Sequence, residues 1–181
     1  MRAILTAWLI VVATCAGAQA IDELKRPGVV ALMRHALAPG TGDPAAFELG
    51  DCATQRNLDD RGRAQARRTG EALRAAGVAF DAVWTSQWCR TRETARLMEM
   101  GTPEAKPALN SFFAGRGSRA RQTRETRALI AALPPDARVL IVTHQVNITA
   151  LTGRGVRSGE IVVARRNDDG LETVASYLIA P

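Results

Sequence analysis

The chain holds two histidines, His35 and His144, and each follows an unbroken apolar run. Gly28-Val29-Val30-Ala31-Leu32-Met33 leads through Arg34 into His35, and Val139-Leu140-Ile141-Val142-Thr143 leads into His144. Runs without alternation suit strands covered on both faces. Ligands of open α/β sheets gather beyond the carboxyl ends of the strands. Two parallel neighbours would therefore bring both imidazoles to one rim. A guanidinium such as that of Arg34, beside a buried strand end, is costly unless it meets an anion or an acid. Arg90 opens a helix just after a short strand and should reach the same rim. Two arginines, two histidines and a helix N-terminus make an anion pocket, in which one histidine could attack covalently.

The elements that must position these groups can be read along the chain. Strands are expected over 28–33, 80–85 and 138–143, with weaker ones at 108–113, 161–164 and 173–179. Helices are expected over 61–76, 90–98, 123–133 and 146–151. Ala64, Ala66, Thr69, Ala72, Leu73 and Ala76 give the first helix a mostly small apolar face, and Gly77 ends it. Gly101 and Pro103 stop the second, and Pro134-Pro135 stop the third. Residues 36–60 form a long loop rich in Gly, Pro and acids, the kind that compact domains use for function. Strands alternating with helices imply an α/β fold, a three-layer αβα sandwich with a mostly parallel central sheet.

The 181 residues, 46% hydrophobic, are enough for a real core and exclude a wholly disordered chain. Three cysteines are too few for a disulfide-rich scaffold or a four-cysteine zinc site. The net charge of +6 is a weak pointer to an anionic partner. Aromatic residues make up only 4% and no nucleic-acid motif appears, so no nucleic-acid partner is expected. Arg116, Arg119, Arg121, Arg124 and Arg127 read as a solvated face, with attraction of a polyanionic substrate as the functional reading. Met1-Arg2, an apolar stretch over 3–12 and Ala18-Gln19-Ala20 have the layout of a secretory signal peptide cleaved near Ala20. The expected organisation is a leader over 1–20 and one domain over 21–181, exported to the bacterial periplasm, with no transmembrane segment after cleavage. Cys52 and Cys89 would then remain where disulfides can form.

Four segments in order carry a resemblance. Leu32-Met33-Arg34-His35-Ala36 resembles the Arg-His signature of the histidine phosphatase (phosphoglycerate mutase-like) superfamily. Leu58-Asp59-Asp60-Arg61-Gly62-Arg63-Ala64-Gln65-Ala66 is similar to the family's entry into its first helix. Thr85-Ser86-Gln87-Trp88-Cys89-Arg90-Thr91-Arg92-Glu93-Thr94-Ala95 resembles its Ser…Arg…Thr-Ala segment, and Val142-Thr143-His144 its second histidine. The resemblance implies a phosphatase of the exported type, acting on a phosphorylated small molecule or an envelope glycan. It implies His35 as the nucleophile that forms a phosphohistidine, with Arg34, Arg90 and His144 holding the phosphoryl oxygens. It implies no cofactor and no metal.

The chain departs from the family pattern in its proton donor. The acid that follows a Leu-Asn pair in the mutase-like branch is Ser111 here, and the acid that follows the second histidine elsewhere is Gln145. A general acid is worth about 10²–10⁴-fold. Asp43, Glu48, Asp51 and Glu160 are the candidates to replace it. Otherwise the leaving group needs little protonation, or the domain binds phosphate without turning it over. Arg56, Gln145 and Asn147 are candidate substrate contacts, although Asn147 could equally cap the helix that begins there. A Cys52–Cys89 disulfide would pin the long loop over the pocket; two buried free thiols are the alternative.

Overall fold

The computed structural model describes residues 17–167 and 170–181. Most of the expected leader, residues 1–16, lies outside them. Residues 17–24 are helical, with Ala20 and Leu24 fully buried and Ala18 and Gln19 exposed. Six strands form one sheet: β1 (Val29–Arg34), β2 (Ala82–Thr85), β3 (Pro103–Ala105), β4 (Val139–Thr143), β5 (Ile161–Asn167) and β6 (Gly170–Tyr177). Their spatial order is β3-β2-β4-β1-β5-β6. The β3-β2-β4-β1 part is parallel, and β5 and β6 add antiparallel edges.

The unalternated sequence of the central strands follows from burial on both faces. On β1, Val29, Ala31 and Met33 enter one core with Leu140, Val142 and Val163. Val30 and Leu32 enter the other with Val139, Ile141 and Val162. Helices α1 (Asp60–Ala75) and α2 (Cys89–Met98) supply Ala66, Leu73, Ala95 and Met98 to the first core. Helices α3 (Arg119–Ala131) and α4 (Gln145–Thr152) supply Ile130, Ile148 and Leu151 to the second. The architecture is the expected αβα arrangement.

Two expectations need correction. No strand spans 108–113. The third parallel strand lies earlier, at Pro103–Ala105, and Pro107–Leu109 is a 3₁₀ turn. Pro107 opens that turn, where its fixed φ suits a first helical position, and Leu109 is buried in the second core from the turn rather than from a strand. Helices α1 and α3 also begin earlier than expected, because side-chain caps set their starts. Asp59 accepts from the Gly62 N–H at 2.7 Å, and Ser118 accepts from the Arg121 N–H.

Glycines fix the close approaches. A Cβ on Gly62 would stand 1.9 Å from the Leu37 carbonyl oxygen, and one on Gly70 would stand 2.0 Å from that of Met98. The first contact seats α1 against the segment that follows His35. The second seats α1 against α2.

Candidate active site

The strand order makes β1 and β4 parallel neighbours, with Arg34 opposite Thr143. The pairing continues one step further, since the His35 N–H donates to the Thr143 carbonyl at 3.0 Å. His35 and His144 therefore leave the sheet side by side, with ring centroids 5.6 Å apart and ring planes at 69°. They are 2% and 3% exposed. Together with Arg34, Arg56, Arg90, Asp43, Gln145 and the loop at Gly40-Thr41-Gly42, they line a cavity of about 220 Å³. Ser111, Phe113 and Val146 complete its wall.

The first histidine is held in one orientation. His35 Nδ1 lies 2.8 Å from the Ala36 carbonyl oxygen, which can only accept. Nδ1 therefore carries the proton in the neutral ring and Nε2 is left as a bare lone pair. Burial lowers the pKa of His35 well below its ordinary 6.5 and the charge of Arg90 adds to this; the hydrogen bond to the Ala36 carbonyl opposes them, and Arg56 and Arg34 lower it further. The ring is neutral at neutral pH, as a nitrogen nucleophile must be. Residues that match family motifs anchor its surroundings. Thr94 Oγ1 accepts from the Ala36 N–H at 3.1 Å and donates to the Arg90 carbonyl at 2.7 Å. Gln65 Oε1 accepts from the Leu37 N–H at 3.0 Å, while its amide nitrogen donates to the carbonyls of Ser158 and Ile179.

Arg90 stands in the first turn of α2 and points across the pocket. Its Nε–H donates to His35 Nε2 at 3.2 Å. Its two Nη groups grip Asp43, at 2.6 Å to Oδ1 and 3.2 Å to Oδ2. Both side chains are almost fully buried, 3% and 4% exposed. Asp43 also accepts from Trp88 Nε1 at 3.0 Å and from the Arg56 N–H at 3.2 Å. Burial alone would raise its pKa, but the hydrogen bonds from Arg90 and Trp88 and the charge of Arg90 outweigh that and hold it below 3.8. It is a fixed carboxylate, the counter-ion of Arg90, and no donor of protons at neutral pH.

The other expected acids lie elsewhere. Glu48 engages its neighbours through its backbone, which binds Thr54 and Gln55. Asp51 accepts from the Ala53 N–H at 2.9 Å and caps the short turn at Cys52–Thr54. Glu160 accepts from the Arg157 N–H at 3.0 Å and pairs with Arg154 and Arg157. None of these three lines the cavity. Asp43 is thus the cavity's one carboxylate among the described residues, and it is committed to Arg90.

Arg34 and Arg56 complete the cationic wall. Arg34 Nη1 donates to the Val156 carbonyl at 3.0 Å, and its buried Nε has no hydrogen-bond partner among the described residues. Arg56 donates to the carbonyls of Gly42 and Ala38. Burial, together with the charge of Arg90, lowers its pKa to about 10, so it remains cationic at neutral pH. Of the remaining candidates, Gln145 is exposed at the rim. Asn147 is neither a cap nor a wall residue. It sits inside α4, buried, and donates to the Asn110 carbonyl at 3.0 Å.

Cys52 and Cys89 are joined by a disulfide, with Cα atoms 5.7 Å apart. The bridge ties the long loop to the first residue of α2, one position before Arg90. Gln55 Oε1 reinforces this by accepting the Cys89 N–H at 2.9 Å. In the basic stretch, Arg116 lies over the ring of Phe47 at 4.5 Å, and Arg119, Arg121 and Arg124 are exposed. Among the described residues, no group of three or more His, Cys, Asp or Glu side chains is placed to hold a metal ion, and no helix is long and apolar enough to cross a membrane.

Sequence reasoning missed two groups. Asp43 was considered only as an acid, and the pairing Asp43–Arg90 spans a loop that no local pattern describes. Ser86 was read as a motif letter, yet it holds His144 Nε2 at 2.8 Å.

The chain is similar to known proteins in both sequence and fold. The pattern of the histidine phosphatase superfamily (branch 1) matches residues 30–116. A curated relative is the mitochondrial serine/threonine-protein phosphatase Pgam5 of Drosophila virilis, 41% identical over 52 residues. That match covers 29% of this chain and 18% of the Drosophila protein. The solved protein histidine phosphatase SixA, complexed with tungstate, shares the fold at 17% identity and a TM-score of 0.58, over 83% of this chain and 96% of that one. A candidate alpha-ribazole-5'-P phosphatase from Escherichia coli shares it at 21% identity and a TM-score of 0.64, over 84% and 98%. The matched segment carries Arg34, His35 and Arg90 in the geometry just described, so the chain is similar there to the histidine phosphatase superfamily, and the shared fold extends the likeness through the second histidine.

Proposed function

We propose that the protein is a phosphatase that hydrolyses a phosphomonoester through a phosphohistidine at His35, without a metal. One observation carries this reading. The bare Nε2 of His35 and the Nε–H of Arg90 meet at 3.2 Å inside a buried cationic cavity. A phosphoryl group entering there would take the Arg90 N–H on an oxygen and meet the freed lone pair at phosphorus. Three arginines against the one carboxylate of Asp43 leave two net positive charges, which suits a phosphoryl dianion. Phosphoryl transfer needs mainly positioning and electrostatic stabilisation, and these groups supply both.

In the first step the Nε2–P bond forms and the bond from phosphorus to the leaving oxygen breaks. The Ala36 carbonyl stabilises the positive charge that develops on the ring through Nδ1–H. In the second step water attacks phosphorus, the Nε2–P bond breaks, inorganic phosphate leaves, and the water proton passes to solvent. With no free carboxylate among the described residues of the cavity, leaving groups that depart with little protonation are favoured. The same gap supports a second reading, a phosphate-binding domain of this fold without turnover.

The substrate class we infer is a phosphorylated small molecule or envelope glycan. Export to the periplasm is part of the proposal. The small-residue pattern at Ala18-Gln19-Ala20 and the Cys52–Cys89 bridge support it, since disulfides persist in oxidising compartments. Assay of the purified protein on an aryl phosphate, beside His35→Ala, tests the activity. Turnover by the intact chain and none by the variant is expected. Binding of phosphate without turnover would favour the second reading.

A further inference from the structure

The second histidine presents a proton problem. Buried, and facing His35 and the arginines, His144 has a pKa well below 6.5 and is neutral. A neutral imidazole has one N–H, and its two nitrogens take opposite roles. Nε2 is already occupied, at 2.8 Å from Ser86 Oγ. Ser86 is fully buried and is no part of the cavity wall. Nδ1 is the nitrogen left for the cavity.

Two proton arrangements are then open. If Nε2 carries the proton, Nδ1 turns a lone pair toward any bound oxyanion and repels it. If Ser86 donates to Nε2, Nδ1 carries the proton and can donate to a phosphoryl oxygen without the ring becoming charged. The partners of Ser86 permit the second arrangement. Its Oγ must accept from the Trp88 N–H at 3.1 Å, because a backbone N–H only donates. Thr91 Oγ1, at 2.9 Å, can donate to it as well, in competition with the carbonyls of Trp88 at 2.8 Å and Ser86 at 3.1 Å for its one proton. In the arrangement where Thr91 donates to Ser86 Oγ, the one Ser86 proton is left for His144.

Resting on the phosphatase reading, we propose that Ser86, backed by Thr91, is a positioning residue that fixes His144 as its Nδ1–H tautomer, so that a neutral ring donates to the phosphoryl group. The consequence is that both histidines share the less common tautomer for opposite ends. His35 keeps Nδ1–H to leave Nε2 bare for attack, and His144 keeps Nδ1–H to present a donor.

The test is direct because the chain contains only these two histidines. Long-range ¹H–¹⁵N correlation of the rings, recorded on the full protein with saturating inorganic phosphate, reads the protonated nitrogen of each. His35→Gln leaves one ring and so assigns the signals. The expected result is two neutral rings, both protonated at Nδ1. Ser86→Ala is expected to shift His144 toward Nε2–H while leaving the His35 pattern unchanged, and to weaken phosphate binding by about tenfold to a hundredfold, the loss of one hydrogen bond to a charged group. Thr91→Val, nearly isosteric, is expected to act in the same direction with a smaller effect. An Nε2–H or doubly protonated His144 in the phosphate-saturated protein would overturn the role of Ser86 while leaving the phosphatase reading intact. Failure of both rings to respond to phosphate would remove the phosphatase reading, and the role of Ser86 with it.

Discussion

Arg90 and Asp43 form a bidentate ion pair, at 2.6 and 3.2 Å, inside the cavity where the phosphoryl group is proposed to bind. The pair leaves the Nε–H of Arg90 directed at His35 and fixes the plane of the guanidinium. A planar fork held on one side presents its remaining donors in one orientation. Asp43 is therefore better understood as the part that aims Arg90 than as a participant in proton transfer.

Asp43→Asn separates these roles. Removing one partner of a buried pair leaves an uncompensated charge and costs about 3–5 kcal/mol. The variant is expected to lose roughly that much stability in urea unfolding. Its kcat/KM is expected to fall by the same factor on an aryl phosphate and on an alkyl phosphate. A loss confined to the alkyl phosphate, whose leaving group needs a proton, would identify Asp43 as a general acid instead.

The Cys52–Cys89 bridge joins residues 37 apart in sequence, and the segment it closes contains Arg56 and the cap of α1. Closing a loop of this size stabilises a protein by about 2–4 kcal/mol. Cys52→Ser with Cys89→Ser is expected to lower the thermal midpoint and raise KM, because the loop carbonyl of Arg56 and the side chain of Gln55 brace Arg90 and the start of α2. Thermal unfolding with and without reductant, beside initial rates, checks both. Equal midpoints would show that the loop is held by its hydrogen bonds alone.

The fold was legible where one physical demand governs a whole segment. Continuous apolar runs exposed the buried strands, and the strand-end histidines followed from them. The long loop was legible only as a loop. The partnership of Asp43 with Arg90 joins residues 47 apart and depends on how the loop folds back. Asn147 misled because a polar residue one turn into a helix resembles a cap or a ligand, whereas it binds the Asn110 carbonyl behind the cavity wall. Glu48, Asp51 and Glu160 were candidates by residue type alone, and residue type does not give a carboxylate a direction; none of the three lines the cavity.

Gly62 was legible as a motif letter, and its reason is steric. A Cβ there would sit 1.9 Å from the carbonyl oxygen of Leu37, two residues beyond His35. Backbone cannot yield as a flexible side chain does. Gly62→Ala is expected to destabilise the protein by about 1–3 kcal/mol and to lower kcat, with helical content retained. Wild-type kcat in the folded variant would show that α1 absorbs the displacement away from His35.

The buried histidines give stability a pH dependence of defined sign. Both folded pKa values lie well below the ordinary 6.5. Below 6.5 the unfolded chain therefore binds protons that the native state does not, and stability rises with pH through that window. It is full above 6.5 and declines as the pH falls below it, by about 1 kcal/mol per histidine per pH unit. Urea unfolding at pH 7.5 and 5.5 checks the slope. His144→Gln is expected to show a shallower decline than the intact chain, and an identical decline would mean that His144 charges in the folded state.

The covalent step is the centre of the account, and rapid acid-free quenching followed by intact mass measurement tests it most directly. Mixed with an aryl phosphate and unfolded at alkaline pH within the first turnovers, the protein is expected to carry one added phosphoryl group. Peptide mapping should place it on His35, and acid should remove it. A phosphoryl group on another residue, or steady turnover by His35→Ala, would contradict the account.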